Sequence, residues 1–195
     1  MKIIAVIPAH LASVRFPRKI LFNIHGLPMI EHVRRRALLS ENVSDVFVAT
    51  RDKEIAETIH SFDGKVIMTA NTHKNGTSRV AEAVKDIDCT HVMLLQGDEP
   101  LLLPRHMDEI IKVIKAHPDS EAWNATGPIE NEEELERHSF VKCRVTKSNR
   151  ILNCFRSYSC SIDRNIQIKF VRKILGLIAY QKDFFDGRFI GAHIT

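Results

Sequence analysis

The stretch that most restricts what this chain can become is its opening. Ile3-Ile4-Ala5-Val6-Ile7 is an apolar run, mostly β-branched and closed by Pro8. Such a run suits a strand buried on both faces of a parallel sheet. The loop that follows, residues 9–19, carries one hydroxyl (Ser13) and three cations (Arg15, Arg18, Lys19), with no glycine. A loop leaving a central strand opens at the carboxyl end of the sheet, where open α/β folds take their ligands. Cations there suit an anionic ligand, phosphates first. A solvated basic loop is the other reading of the same residues. The lack of glycine sets aside a dinucleotide-dependent oxidoreductase, which needs G-x-G-x-x-G after its first strand.

Strands and helices then alternate. Pro28 suits the first position of a helix over residues 28–40, with Ile30, Val33, Ala37 and Leu38 at helical spacing. A strand over 46–49 precedes a helix capped by Asp52 and running to about His60. After a strand over 66–68, Thr77 or Asn75 caps a helix with Val80, Ala81, Val84 and Ile87 inward. Residues 91–95 form another buried strand, and Pro104 opens a helix whose stripe is Met107, Ile110, Ile111 and Ile114. This order predicts a three-layer α/β/α sandwich around a mostly parallel sheet.

Past Pro118 the texture changes. A strand over 123–126, an acidic helix over 130–137 and alternation at Val141, Cys143 and Val145 lead through a Ser148-Asn149 turn to a strand over 151–155. A strand over 174–180 and a helical start at Asp183 follow. The pattern is antiparallel, grafted onto the parallel part. The expected organisation is one domain, with an α/β half over 1–118 and an antiparallel half over 119–195.

Composition excludes several classes. With a net charge of +4 the chain is only mildly basic, and aromatics do not interleave with its cations, so no nucleic-acid partner is expected. Arg34-Arg35-Arg36, the tight basic cluster, reads as an exposed helix face. No apolar run approaches the ~20 residues of a membrane span, and the start lacks a signal-peptide layout, so a cytoplasmic protein without a membrane partner is expected. Cys89, Cys143, Cys154 and Cys160 show no C-x-x-C spacing, which argues against a zinc or redox site. Gln96-Gly97-Asp98-Glu99-Pro100 sets two carboxylates at the end of a strand. That is a suitable place for Mg²⁺, or a solvated acidic turn. Strand pleating would send Asp98 and Glu99 to opposite faces.

Together these segments resemble one family, the cytidylyltransferases that make CMP-3-deoxy-manno-octulosonate (CMP-Kdo), a lipopolysaccharide precursor. Its opening I-I-P-A-R-x-A-S-x-R-x-P-G-K is similar to residues 7–19, and its G-K-P-M-I-x-H-V to residues 26–33. Its H-x-S-G-T-[DE]-R resembles residues 73–79, and its Q-G-D-E-P stands intact at 96–100. Weaker similarity runs through residues 141–156 and 175–180.

The resemblance implies a Rossmann-like nucleotidyltransferase fold with a small antiparallel excursion for sugar binding and dimerisation. It implies attack of the anomeric hydroxyl of Kdo, or a related 3-deoxy-ulosonic acid, on the α-phosphorus of CTP, with Mg²⁺ and release of pyrophosphate. On that resemblance Arg15, Lys19 and Asp98 are catalytic, and Asp98 holds the metal. Ala9, His10, Ser13, Asn75, Gly76, Thr77 and Arg79 join Arg15 and Lys19 around CTP, and Gln96, Arg156 and Tyr180 face the sugar. A homodimer formed through residues 143–180 is expected.

The departures are specific. His10 stands for the family's arginine and Arg18 for its glycine, which strains the loop if that position needs positive φ. Asn75 and Ser78 replace a serine and an acidic residue. Ile174 and Ile178 replace the histidine and tyrosine of H-x-G-x-Y. The family's V-D-T-P-E-D-L segment, with a second metal aspartate, has no counterpart in these residues. A shortened member, or a nucleotide-binding relative with inefficient chemistry, is the alternative expectation.

Overall fold

The computed structural model describes residues 1–13, 16–157 and 168–187. They form two compact units, one of Met1–Trp123 with the chain from Gly176 onward, the other of Asn124–Leu175.

In the larger unit β1 (Ile3–Ala9) lies between β4 (Asp45–Thr50) and β6 (His91–Leu95), parallel to both, and β5 (Lys65–Met68) extends the set beyond β4. The last residues of β10 (Val171–Gln181) run antiparallel along β6, Leu177 opposite Leu95 and Gln181 opposite His91. The central position of β1 explains its composition: Ile3 to Ile7 are all at most 1% exposed. Ile4 and Val6 pack with Val80, Ala83 and Val84 of α3 (Gly76–Val84) and with Phe185 of α6 (Asp183–Gly187). Ile3, Ala5 and Ile7 are buried on the opposite face. Each of the buried isoleucines and valines stabilises the fold by roughly 1.5–3 kcal/mol relative to exposure. The stripe of α4 (Pro104–Ala116) is buried at Met107, Ile110, Ile111 and Ile114, as its spacing predicts.

Two local expectations are corrected. Pro28 is not the first residue of a helix. It pairs with Asn23 in a short hairpin of β2 (Asn23–Ile24) and β3 (Leu27–Pro28), and α1 (Met29–Ala37) begins after it. The turn between the strands takes both its residues to positive φ, His25 at 47° and Gly26 at 86°, and Asn23 Oδ1 accepts the Gly26 N–H at 2.8 Å. Arg34 is likewise not part of an exposed face. Its guanidinium is buried and donates to the fully buried Glu31 at 2.7 and 2.9 Å, while Arg35 reaches the same carboxylate at 2.7 Å.

In the smaller unit β8 (Lys142–Val145) pairs antiparallel with β9 (Ile151–Phe155) and with residues 171–173 of β10. The connecting turn carries Asn149 at φ 60°, a conformation asparagine tolerates. β7 (Ala122–Pro128) also pairs with β10, and α5 (Glu132–Glu136) follows it. Ile129, Leu135 and Val171 form a small core here with Phe155 and Ile168. Among the described residues no helix is long and apolar enough to cross a membrane.

Candidate active site

The carboxyl end of β1 is a meeting point because two glycines let other loops approach it. A Cβ on Gly76 would stand 3.0 Å from Pro8 Cγ. A Cβ on Gly97 would stand 2.7 Å from Ile20 Cδ1 and 3.3 Å from Ile7 Cγ2. The start of α3 and the turn after β6 therefore both close on the segment leaving β1. Ala9 is buried, whereas His10 is exposed. Asp52 fixes the loop beyond: its Oδ2 accepts the Leu11 N–H at 2.8 Å. Asp52 does precede α2 (Lys53–His60), but its side chain makes no capping bond there. Leu11 O in turn accepts from Ser13 N at 2.9 Å and Arg18 N at 3.1 Å. Arg15 lies outside the described residues.

Arg18 occupies a left-handed conformation, φ 61° and ψ 16°, the geometry that favours glycine. Its side chain is ion-paired with Glu54 of α2. Lys19, next in the chain, is directed to the turn after β6, where its Nζ lies 2.5 Å from Asp98 Oδ2. Both side chains remain partly exposed, at 31% and 40%.

Residues 96–99 form a turn, closed by the Glu99 N–H donating to Gln96 O at 3.3 Å. Strand pleating ends with β6 at Leu95, so it is this turn and not the pleat that directs Asp98 to Lys19 and Glu99 to Gly176. Glu99 lies against Gly176: a Cβ there would fall 2.2 Å from Glu99 Oε1 and 2.4 Å from Gln96 Cγ. The Gln96 N–H donates to Gly176 O at 3.2 Å, and Glu99 accepts the Gly176 N–H. Lost hydration, then the neighbouring Asp98 charge, push the Glu99 carboxyl above its ordinary value against that N–H. Among the described residues no three His, Cys, Asp or Glu side chains gather to hold a metal by themselves. Asp98, a single partly exposed carboxylate, could hold an ion that takes one or two protein oxygens and fills its shell from phosphates and water, which is the habit of Mg²⁺.

The entry to α3 is built around Asn75, whose side chain caps the helix by accepting the Ser78 N–H at 2.8 Å. The Ser78 hydroxyl bonds Asn75 O at 3.1 Å and lies 3.2 Å from His73 Nδ1. His73 Nε2 pairs with Glu82, which also accepts the Ala70 N–H. Arg79 is 4% exposed and donates to Thr69 Oγ1 at 2.5 Å and to Ala70 O at 3.4 Å. Burial, then Arg51, hold its pKa below the usual arginine value. Through those two bonds it holds the segment that leads into α3.

Tyr180 joins this group and not Gln96. It shares a hydrogen bond with Thr77 and packs on Phe184 and Phe185 at 5.4 and 5.1 Å, and burial pushes its phenol up. Along β10 it stands four residues from Gly176, about 13 Å at the usual strand rise. Arg156 belongs to the smaller unit, where its Nη1 donates to His138 O at 3.2 Å and Ser139 O at 3.4 Å.

Sequence reasoning placed Asp52 as a helix cap and passed over Glu99 and Gly176 as partners. Gly176 was visible as the glycine of the H-x-G-x-Y pattern. Its role depends on what lies against it.

Against known proteins, the family model described as cytidylyltransferase matches residues 4–185. A 3-deoxy-manno-octulosonate cytidylyltransferase of Geobacter metallireducens is 47% identical over 116 residues, which are 60% of this chain and 46% of that protein. An 8-amino-3,8-dideoxy-manno-octulosonate cytidylyltransferase of Shewanella baltica is 36% identical over 188 residues, 94% of this chain and 76% of that one. The solved structure of a CMP:2-keto-3-deoxy-manno-octonic acid synthetase complexed with CTP superposes with a TM-score of 0.88 at 34% identity, covering 95% of this chain and 76% of its own. The chain thus spans about half the length of the Geobacter relative and about three quarters of the other two. With its fold shared and its sequence matched over residues 4–185, this chain belongs to the cytidylyltransferase family.

Proposed function

We propose that the chain transfers CMP from CTP to the anomeric hydroxyl of Kdo or a close relative such as its 8-amino form. The observation that carries this reading is the Lys19–Asp98 pair at the ligand-binding end of β1 and β6, in a chain of this family. In the reaction the sugar oxygen forms a bond to the α-phosphorus, the bond from that phosphorus to the oxygen it shares with the β-phosphate breaks to release pyrophosphate, and the hydroxyl proton passes to water. Such chemistry asks for positioning and neutralised charge more than for covalent help. Lys19, with Arg15, is the group to balance charge on the departing pyrophosphate. Ser13 hydrogen-bonds a phosphate oxygen. The segment from Asn75 to Thr77, with the backbone of Ala9 and the His10 ring, receives cytosine and ribose, and Arg79 holds the segment that leads into α3. Gln96 recognises the acidic sugar, and Tyr180 supports the Thr77 end. Mg²⁺, when bound, screens the phosphate oxygens from Asp98. We assign a homodimer formed through the antiparallel strands and a cytoplasmic location to the same reading.

The test is pyrophosphate release from CTP with Mg²⁺ and Kdo. Turnover that Asp98→Ala lowers by about 10²–10³, the usual loss for a group stabilising transition-state charge, supports the proposal. Binding of CTP without release would leave the chain as a nucleotide-binding relative. Absence of CTP binding refutes both.

A further inference from the structure

Lys142 is wholly buried, and no carboxylate pairs with it among the described residues. Its Nζ instead donates to three backbone carbonyls: Arg137 O at 2.9 Å, Phe140 O at 3.4 Å and Arg156 O at 2.7 Å. An ammonium has three protons to give, and each has an acceptor here. Residues 137–140 form a turn in which the Phe140 N–H donates to Arg137 O at 3.1 Å. The two inner carbonyls of that turn, His138 O and Ser139 O, accept from Arg156 Nη1. Four successive carbonyls are thus divided between two cations, the outer pair for Lys142 and the inner pair for Arg156. Lys142 also holds Arg156 by its own carbonyl, so the arginine is tied at its backbone and at the tip of its side chain.

Two like charges set this close oppose one another. Burial, then the Arg156 charge, depress the Lys142 pKa. Both bonds from Arg156 use Nη1, so the edge formed by Nε and Nη2 carries no partner among the described residues. That edge is the one a guanidinium offers a carboxylate in two-point fashion.

We propose that Lys142 is a positioning residue that fixes the Arg156 guanidinium with its Nε–Nη2 edge presented to the carboxylate of the acidic sugar. The inference rests on the sugar-acid reading above. It adds that recognition of the carboxylate depends on a buried lysine that does not touch the sugar. An apolar side chain of the same length would fill the space but take the donor from Phe140 O and Arg156 O, leave Arg137 O with only the Phe140 N–H, and loosen the turn.

The experiment is calorimetric titration of the 195-residue chain with Kdo, in Mg²⁺ and a CTP analogue whose α–β bridge cannot be cleaved, so that catalysis is not needed. Arg156→Ala and Lys142→Met should each weaken Kdo binding about tenfold or more, the worth of a charge-assisted hydrogen bond, and leave affinity for the CTP analogue within about twofold. The double variant should be no weaker than Arg156→Ala, because both changes remove one interaction. If Arg156→Ala weakens Kdo binding and a folded Lys142→Met does not, the positioning role is overturned and the sugar reading stands. If Arg156→Ala has no effect, or the unaltered chain does not bind Kdo, the assignment of Arg156 falls and this inference with it. Should Lys142→Met not fold, the unaltered chain still decides through the Arg156 Nε–H resonance. A sharp signal before ligand, shifting on addition of Kdo, supports a fixed guanidinium; one averaged by free rotation overturns it.

Discussion

Gly97→Ala separates packing at the end of β1 from the chemistry it serves. Gly97 is buried, and its φ is not in the left-handed region, so the backbone accepts alanine. Space is the obstacle. The new Cβ would lie 2.7 Å from Ile20 Cδ1, about 1 Å short of the 3.5–4.0 Å at which carbon pairs are comfortable. On the other side Ile7 Cγ2 at 3.3 Å and Pro8 O at 3.6 Å leave little room for retreat. Ile20 must give way. The contact is with the tip of its side chain, but Ile20 is only 8% exposed, so where the tip has no room to turn, the 3-10 segment Lys19–Leu21 must shift and carry the adjacent Lys19 with it. Overpacking of this kind costs about 1–3 kcal/mol, and the smaller conformational freedom of unfolded alanine returns about 0.4–1 kcal/mol. The net loss lies between about 0 and 2.6 kcal/mol, about 1.3 kcal/mol at the midpoints, which in a domain of this size lowers Tm by roughly 3–5 °C. Scanning calorimetry measures the first effect and titration with CTP the second, which should weaken as Lys19 leaves its place. Gly26→Ala is the control. It has φ +86° with nothing within 4 Å of the new Cβ, so it should lower Tm through backbone strain of about 1 kcal/mol and leave CTP affinity alone. A Gly97→Ala protein with unchanged Tm and unchanged CTP affinity would refute the argument that these loops close on β1.

Other perturbations divide stability from function in the same way. Lys19→Ala breaks a partly exposed ion pair and should change stability by less than about 1 kcal/mol, while lowering turnover by about 10²–10³; a loss of stability with full turnover would reverse the assignment. Asp52→Ala leaves the Leu11 N–H without its carboxylate and should cost about 1.5–3 kcal/mol by urea unfolding, far more than removal of a solvated side chain. The Glu82 carboxyl is held below its ordinary value of 4.5, chiefly by its hydrogen bond with His73. A depressed carboxyl contributes stability that is complete above its unfolded pKa and is lost as pH falls through its folded one. The urea midpoint should therefore fall with acidification below about pH 4.5, and Glu82→Gln should flatten that limb; an unchanged slope in the variant refutes the linkage.

What could be read in the sequence was whatever repeats along one element. The five-residue run of β1 and the stripe of α4 declare their burial because period and residue type coincide. Asn75 was one of two candidate caps, and its neighbour Thr77 was the other; a side-chain oxygen three residues before a free N–H is a local signal. The β2–β3 hairpin gave no such signal. Its strands are two residues each, and histidine is an uncommon occupant of the first left-handed turn position. Arg34 deceived for the opposite reason. Three successive arginines look alike on paper, but a helix advances about 100° per residue, so one of them must point away from the others. In α1 that one points inward, and Glu31 one turn earlier makes the burial tolerable.

The candidate site is less legible than the fold because its decisive contacts are long-range. Asp52 meets Leu11 across 41 positions, and Lys19 meets Asp98 across 79. Motifs named the residue types on each side, but no local rule could pair them. Gly76, Gly97 and Gly176 show the difficulty most plainly. A glycine contributes nothing to hydrophobic period, and its value lies in what approaches it: Pro8, Ile20 and the Glu99–Gln96 pair respectively. The parallel register of β1 with β6 brings the turn at Asp98 to the same end as the segment that leaves β1. Buried β-branched residues set that register, and a slip of one position would turn Ile4 and Val6 away from α3. The apolar run that made the strand predictable is thus also what brings the charges together, although it carries no charge itself.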